Sequence, residues 1–386
     1  MDLRGYPVRV SGPVYSLNFH ADYRCQHSGV CCSSDWDVPV ELPLYPTLDA
    51  ALRSRRLVPV AAGVDEEPAL VVEAEMPEGA AAMVSRAATG DCVFYHRHSG
   101  LCVVQRDLGE PSLPATCRHF PRIAVRDARG TFISLTHYCP TAAAMLFRGD
   151  TPAEIVEGPA AFPPADYEGL KVDPEAWPPL LHPTMLMDLG GYSAWERHMV
   201  ARCALMELSP EEVVATLDRD ARVLRAFQPG SRSLADAVAA LPADTIDVPV
   251  HETLDASLTL HRQIVAAIPA DLRPEPDEDA LADVYARAVK AHWATWHTPL
   301  KRYLAAKAFA SWTAYQGRGV VTIVRGLEAA LALVRVEAVR ECRNAGCALD
   351  EERLKQAFRG ADFVLNHLAV GEALAEVWSA AETPQG

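Results

Sequence analysis

Apolar and polar positions follow two different rhythms along the chain. In the first part the apolar runs are short and alternating, as in strands; residues 69–75, 122–127 and 131–136 fit this pattern. The last two runs flank a turn and predict a hairpin, and residues 92–104 predict another one that turns at a Ser-Gly step. The N-terminal region is therefore expected to contain small antiparallel strands.

Helical spacing of apolar residues dominates after the proline-rich middle of the chain. Ser209 predicts a helix start, because Pro210 fits the first helical position and Glu212 completes a capping box. Residues 231–277 carry several prolines and acids and are expected to form loops. Amphipathic helices are predicted over residues 279–296, 300–315, 320–342 and 350–381.

These patterns indicate an α+β protein. A small cysteine-pinned, metal-binding unit with short strands is expected over residues 1–148, and a mainly α-helical domain over residues 191–386. Residues 149–190 are rich in proline and are interpreted as a linker.

The net charge and the positions of charged residues exclude some classes of partner and some cellular locations. The net charge of −15 argues against general nucleic-acid binding, which needs surplus Lys and Arg. The longest apolar stretch, residues 320–339, is interrupted by charged side chains, so no membrane span is expected. The first residues show no apolar leader segment, and a cytoplasmic location is expected. Thiols stay reduced in that compartment, so clustered cysteines there are typical of ligands rather than disulfides.

The cysteines carry the clearest chemical signal. Seven of the ten lie within the first 139 residues, and Cys31 and Cys32 are adjacent. Neighbouring cysteines can hardly pair with each other without strain, whereas several converging thiolates suit zinc or an iron–sulfur cluster. The predicted metal ligands are Cys25, Cys31, Cys32, Cys92, Cys102, Cys117 and Cys139. A four-iron cluster [4Fe–4S] or zinc is the expected cofactor.

Seven thiols leave the number of sites open. One four-ligand site would leave three thiols over, and two sites would need a histidine or a non-protein ligand. The nearby imidazoles are those of His27, His96, His98, His119 and His137.

Other residues near the cysteines receive less specific interpretations. Arg118 is predicted to contact the bound cofactor, since a cation beside thiolates keeps them ionised. Trp36 and Asp37 are assigned to core packing and a turn, with a pocket wall as the alternative. The remaining cysteines are interpreted as small buried hydrophobic residues, although a second small site at the last two is an alternative; they are Cys203, Cys342 and Cys347.

The cysteine-bearing segments resemble a known family. The matching motifs are Tyr23-Arg-Cys25 with Cys31-Cys32, Gly90-Asp-Cys92-Val-Phe94 with Gly100-Leu-Cys102, Cys117-Arg-His-Phe-Pro121, and His137-Tyr-Cys139-Pro140. Together they resemble the YkgJ-like cysteine-cluster family, whose members are described as zinc- or iron-chelating domains. The resemblance covers roughly residues 15–145 and departs from the family pattern at Ser28, where the family has a cysteine, and at Leu113, where it has an arginine.

The longer members of this family resemble flagellin lysine-N-methylases. That resemblance implies an S-adenosylmethionine-dependent protein lysine N-methyltransferase, with flagellin or another surface protein as substrate. The sequence itself shows no glycine-rich phosphate loop, no Gly-x-Ser-x-Gly elbow and no His-Glu-x-x-His motif, and it predicts no catalytic residue. Two other hypotheses stay open: a non-enzymatic zinc- or iron-binding structural or interaction module, and a redox protein.

Overall fold

The computed structural model describes residues 12–34, 36–60, 68–73, 75–158, 169–171, 179–230, 232–246, 254–274, 277–316 and 319–380. The strands are short; in chain order they are β1 (Val14–Leu17), β2 (Pro39–Glu41), β3 (Leu70–Val71), β4 (Ala80–Val84), β5 (Tyr95–His96), β6 (Leu101–Cys102), β7 (Arg122–Asp127), β8 (Gly130–Leu135), β9 (Ile155–Glu157), β10 (Gly169–Lys171), β11 (Leu180–His182) and β12 (Met185–Leu186).

The longest helices lie in the C-terminal half of the chain. They are α1 (Tyr45–Arg53), α2 (Val103–Leu108), α3 (Ala115–His119), α4 (Pro140–Met145), α5 (Leu189–Ala204), α6 (Pro210–Arg225), α7 (Leu234–Ala239), α8 (Leu254–Ala266), α9 (Leu281–Val284), α10 (His297–Ala308), α11 (Thr313–Gln316), α12 (Val320–Ala345), α13 (Glu351–Phe363) and α14 (Gly371–Ala380). The α+β class is confirmed, with most of the helix in the C-terminal part. None of the described helices is long and apolar enough to cross a bilayer.

The largest sheet has five strands in the order β10-β7-β8-β1-β9. The predicted hairpin of β7 and β8 is confirmed, with antiparallel partners from Arg122↔Leu135 to Asp127↔Gly130. Strand β1 lies parallel to β8 and antiparallel to β9. The expected linker therefore contributes two strands, β9 and β10, to the main sheet. Its residues 159–168 and 172–178 lie outside the described part of the chain.

The cysteine-rich segments form a second, smaller unit. Strands β2, β4 and β3 make a three-stranded antiparallel sheet, and β5 pairs with β6 through Tyr95↔Cys102. The hairpin predicted over residues 92–104 is confirmed but short, because Val103 already begins α2. Of the strand predicted over residues 69–75, only Leu70–Val71 forms, and residue 74 lies outside the described part. Side chains of these elements share a core of their own, in which Leu48, Phe94 and Val103 are buried.

Helix α12 is the central element of the helical part and packs against α6, α8 and α13. It begins at Val320, as predicted, and ends at Ala345, slightly later than expected. The capping box at Ser209 is confirmed, since its hydroxyl accepts from the Glu212 amide and the Glu212 carboxylate accepts from the Ser209 amide. The same core continues into the five-stranded sheet, where the Phe132 ring lies 5.9 Å from that of Phe309.

Several predicted helix boundaries were wrong. The prediction of loops over residues 231–277 missed α7 and α8; a Ser233–Asp236 capping box starts α7, and α8 buries Leu258 and Ile264. Residues 279–296 form the short α9, a π turn at Tyr285–Val289 and a 3₁₀ turn at Trp293–Trp296 instead of one helix.

Two predicted long helices are interrupted. Helix α10 ends at Ala308 because Ala310 adopts a left-handed backbone (φ 55°) and donates its amide to the buried Glu196 carboxylate at 3.0 Å. The helix predicted over residues 350–381 is divided into α13 and α14 by a π turn and an extended Ala369, and residue 381 lies outside the described part.

Candidate metal centre

All seven predicted cysteine ligands line a single cavity of about 390 Å³. They come from five separate segments of the chain. The first holds Cys25 and, in a 3₁₀ turn just after it, Cys31 and Cys32; the other four cysteines each lie in a segment of their own. Cys92 precedes the β5–β6 hairpin and Cys102 lies in β6. Cys117 lies in α3, and Cys139 is the N-cap residue of α4. Ser28, where the resembling family has a cysteine, lines the same cavity.

A glycine shapes the turn that carries the adjacent cysteines. Gly29 has a left-handed backbone (φ 74°), and its carbonyl accepts from the Cys32 amide at 2.9 Å to close the 3₁₀ turn Val30–Cys32. A Cβ at this position would lie 2.1 Å from the Tyr95 hydroxyl oxygen. Only glycine therefore fits both the backbone angle and the space.

The double cysteine is also tied to the neighbouring sheet. The Cys32 carbonyl accepts from the Cys92 amide at 2.7 Å and from the Arg86 guanidinium at 3.4 Å. Arg86 donates in addition to the Trp36 carbonyl, and it forms a β-bridge with Cys92. These bonds hold two of the cysteine-bearing segments at a defined separation, with a cation beside the thiols.

Three of the thiols contact one another. The Sγ atoms of Cys31 and Cys32 are 3.9 Å apart, and Cys32 also shares a hydrogen bond with Cys102. Hydrogen bonding with the Cys32 thiol lowers the pKa of Cys31 and that of Cys102, while the pKa of Cys32 itself rises far above its ordinary value. Two thiolates on one tetrahedral zinc would lie about 3.8 Å apart, given a Zn–S bond of about 2.3 Å.

Burial raises the pKa of Cys25, Cys92 and Cys117 and favours their neutral form. It raises the pKa of Cys92 to about 11 and that of Cys117 well above its ordinary value, although Arg86 acts in the opposite direction on both.

On another side of the cavity the Tyr23 hydroxyl lies 3.7 Å from the Cys139 sulfur, and the Arg122 guanidinium lies 5.4 Å from the Tyr23 ring centre.

The arrangement has the soft donors that zinc and iron–sulfur clusters require. Within the described residues, no three or more His, Cys, Asp or Glu side chains already stand close enough together to hold a metal ion. All ten cysteines are free thiols. The cysteines predicted as ligands therefore share one cavity. Binding a metal ion would require their sulfur atoms to move closer together.

Arg118, which the sequence predicts to contact the bound cofactor, lies in the wall of the cysteine cavity. It belongs to α3, one residue after Cys117. Its Nε is buried and has no hydrogen-bond partner among the described residues. A buried donor beside thiols is the feature that a negatively charged metal–thiolate group would satisfy.

The five candidate imidazoles are separated by the fold. His27 lines the cysteine cavity. The His96 ring bonds the Ser99 hydroxyl at 2.6 Å at the tip of its hairpin, where the His98 ring lies 6.3 Å away. His119 lines a different cavity and His137 is fully buried beside an aspartate. Of these five imidazoles, that of His27 is the one that lines the cysteine cavity.

A buried carboxylate of the helical part holds the loop that leads to Cys139. Oδ2 of Asp362 accepts from the His137 amide at 2.5 Å and lies 3.1 Å from His137 Nδ1. Oδ1 accepts from the Tyr303 hydroxyl at 2.7 Å and from the Lys307 ammonium. Burial by itself would raise the pKa of Asp362, but Lys307 and His137 outweigh it and hold that pKa well below its usual range.

The proton positions in this network follow from the carboxylate. An ionised carboxylate can only accept, so His137 Nδ1 carries a hydrogen and His137 Nε2 has a lone pair. His20 Nε2, 3.2 Å from His137 Nε2, must then be the donor. Burial lowers the pKa of both imidazoles, so both are neutral at pH 7.

Two further residues of the same helical segment hold the same loop. The Arg359 guanidinium donates to the Tyr138 carbonyl at 3.2 Å, and the Asn366 amide donates to the Thr136 hydroxyl at 3.2 Å. With Asp362 they lie on one face, spaced about one helical turn apart. The backbone that presents Cys139 is therefore fastened to the C-terminal helices.

A second cavity of about 530 Å³ lies next to the first. Phe120 and Arg122 line both cavities. Trp36 and Asp37, assigned from the sequence to core packing and a turn, lie in the wall of the second cavity, and the Trp36 ring packs 5.2 Å from that of Phe120. Trp36 also packs against the core of the smaller unit, so its predicted core packing is confirmed, and it lies in a cavity wall as well.

Sequence reasoning missed the Asp362 network. The available signal was an acid on the apolar face of a helix, because Asp362 follows the buried Phe358 by one turn. The other three cysteines are placed as expected or nearly so: Cys203 and Cys342 are buried, whereas Cys347 is half-buried and contacts Arg353 at 3.8 Å.

Comparison of the chain with protein-family models, with curated proteins and with solved structures found no match.

Proposed function

We propose that the seven-cysteine cavity binds an iron–sulfur cluster or zinc and that the protein, as its resemblance suggests, is an S-adenosylmethionine-dependent protein lysine N-methylase. The metal-binding part of the proposal is supported by one observation: seven thiols from five segments of the chain line one cavity. Buried apolar cysteines have no reason to meet in this way, whereas a metal centre needs it. Free thiols also fit a reducing compartment such as the cytoplasm.

Cys31, Cys32 and Cys102 form the nucleus of the proposed site. Their thiols already share hydrogen bonds, and the lowered pKa of Cys31 and Cys102 favours the thiolate form that metals bind. Cys92 is close enough to Cys117 to raise its pKa, after the larger effect of burial, and the two thiols can complete a four-ligand shell. Arg118 would donate to the thiolates.

The experiment is anaerobic purification followed by iron, zinc and acid-labile sulfide analysis and an absorption spectrum. A broad absorption with stoichiometric iron and sulfide supports a cluster, and a colourless protein with one zinc supports the zinc alternative. Cys31→Ser/Cys32→Ser is expected to lose the metal, while the control Cys347→Ser, outside the cavity, keeps it. Full metal content in the double variant, or no metal in the wild type, would refute the assignment.

Methyl transfer is the part of the proposal that rests on resemblance. The reaction breaks the bond between the sulfonium sulfur and its methyl group, forms a bond from that methyl to a neutral lysine nitrogen, and releases one proton. It is tested by mass spectrometry of flagellin and other surface proteins from cells with and without the gene. Lysine masses that stay the same in all of these proteins would leave only a non-methylase function.

A structural zinc module is the second candidate, and one observation favours it. The 3.9 Å separation of the Cys31 and Cys32 sulfurs is close to the spacing of two ligands on one tetrahedral metal. A closed four-thiolate zinc site stabilises folding without chemistry, so this candidate predicts one tightly held zinc and no methylated substrate. A redox role, in contrast, requires iron that can be reduced and reoxidised.

A further inference from the structure

The second cavity has the dimensions and lining of a small-molecule site. Its volume of about 530 Å³ lies within the range of about 300–1,000 Å³ that is usual for ligand pockets. Its walls are largely apolar, with flat faces supplied by Trp36, Trp312 and Trp378. Apolar walls with a few placed polar groups are the usual composition of such sites.

The charged groups of this lining favour an anion. Lys307 and Arg122 are cations in the wall, and among the described lining residues Asp37, which is exposed, is the only acid. The Lys307 side chain is only 16% exposed and its ammonium is held by the buried Asp362. An ammonium has three N–H donors, so Lys307 can bond Asp362 and a cavity occupant at the same time.

One residue of the wall also carries a buried donor without a described partner. Nε1 of Trp378 is buried and has no hydrogen-bond partner among the described residues. Such a group costs free energy unless an acceptor satisfies it, and an oxygen atom of a ligand or a water molecule is such an acceptor. Gly326 lets this indole lie close to α12, because an added Cβ would be 3.1 Å from the Trp378 ring.

We infer that the second cavity binds a small organic acid with a flat apolar body, whose carboxylate bonds Lys307 and whose rings lie against the tryptophan walls. Asp362 fixes the ammonium before the ligand arrives, because it is itself held by Tyr303 and His137. Phe120 and Arg122 form the partition toward the cysteine cavity, so the bound acid lies directly beside the proposed metal centre.

The test uses matched acids and amides on the full-length protein as purified. Benzoate, indole-3-acetate and 2-naphthoate, each with its uncharged amide, are titrated by calorimetry. At least one acid is expected to bind at millimolar concentration or below, and its amide about 10-fold or more weakly, because a charge-assisted hydrogen bond is lost. Equal affinity of acid and amide, or no binding of any acid, would overturn the inference.

Variants locate the site. Lys307→Met/Asp362→Asn removes both charges together and is expected to abolish the preference for acid over amide, whereas Lys307→Arg keeps it. Trp378→Phe keeps a ring but deletes the donor and is expected to weaken acid binding several-fold. Trp296→Phe is the matched control, since its Nε1 is also buried without a described partner but the residue is not in this lining. Equal weakening in both tryptophan variants would overturn the assignment.

The inference stands apart from the proposed metal function. Metal content is measured on the same samples, so acid binding by a metal-free protein would contradict only the metal proposal. A metal-loaded protein that binds none of the acids would contradict only the inference.

Discussion

Asp362 and His137 are separated by 225 residues in the chain and meet in the interior, where one carboxylate oxygen accepts from both the backbone amide and the ring of His137. His137 stands two residues before Cys139, which lines the cysteine cavity. The C-terminal helices thereby position a predicted metal ligand of the N-terminal unit. No described residue of the C-terminal helices lines that cavity, but these helices hold the loop of one of its cysteines, so the stability of one part is expected to affect the other.

Replacing Asp362 with asparagine should destabilise the protein. The change leaves the Lys307 ammonium without its counter-ion and weakens the bonds to His137, and breaking a buried ion pair from one side costs about 3–5 kcal/mol. Urea unfolding at pH 7 measures the loss. Asp277→Asn is the control, since Asp277 pairs with Arg343 at the surface and its loss should hardly move the unfolding midpoint. Similar midpoints for the two variants would contradict a special role for Asp362.

The effect of Asp362 should depend on pH in one direction. Because the folded-state pKa of Asp362 lies well below its unfolded value of about 3.9, the ionised carboxylate contributes stability above that pH and loses it as the pH falls toward the folded pKa. The difference in unfolding free energy between wild type and Asp362→Asn should therefore shrink below about pH 4. A difference that stays constant from pH 7 to acid would show that the carboxylate charge is not the cause.

Gly79 and Gly29 both have a positive φ angle but differ in the space around them. Substituting alanine at each therefore distinguishes backbone strain from steric conflict. Gly79 (φ 81°) has open space where a Cβ would go, so Gly79→Ala should cost only the left-handed strain of about 1–2 kcal/mol. Gly29→Ala adds a collision with Tyr95 and should cost distinctly more, and it should also reduce metal content because the turn carrying Cys31 moves. Thermal unfolding and metal analysis measure both effects. Equal losses in the two variants would mean that Tyr95 yields easily.

Ser28 offers a gain-of-function test of the cysteine cavity. Ser28→Cys restores the thiol of the resembling family at a position that lines the cavity, and it should slow metal loss to a chelator several-fold. Ser33→Cys, on the same loop but exposed and outside the lining, should leave the release rate unchanged. Identical release from wild type and Ser28→Cys would indicate that this side chain does not reach the metal.

Local sequence was sufficient where neighbouring residues in the chain supply the stabilising contacts. The β7–β8 hairpin and the start of α6 at Ser209 formed as predicted, because turn residues and capping boxes act within a few positions. The seven cysteines could be singled out for the same reason, since residue type and spacing carry their chemistry. Helix interruptions were not predictable, because a contact such as the Ala310 amide with Glu196 comes from a distant segment.

The sequence by itself determined the α+β class, the identity of the candidate ligands and the absence of a standard nucleotide-binding loop. Only the tertiary structure decided that all seven thiols share one cavity, that His27 rather than His137 lines it, and that a second cavity adjoins it. The physical reason is the range of the interactions: periodicity and capping are local, whereas burial and charge pairing join residues such as His137 and Asp362 that the chain separates widely.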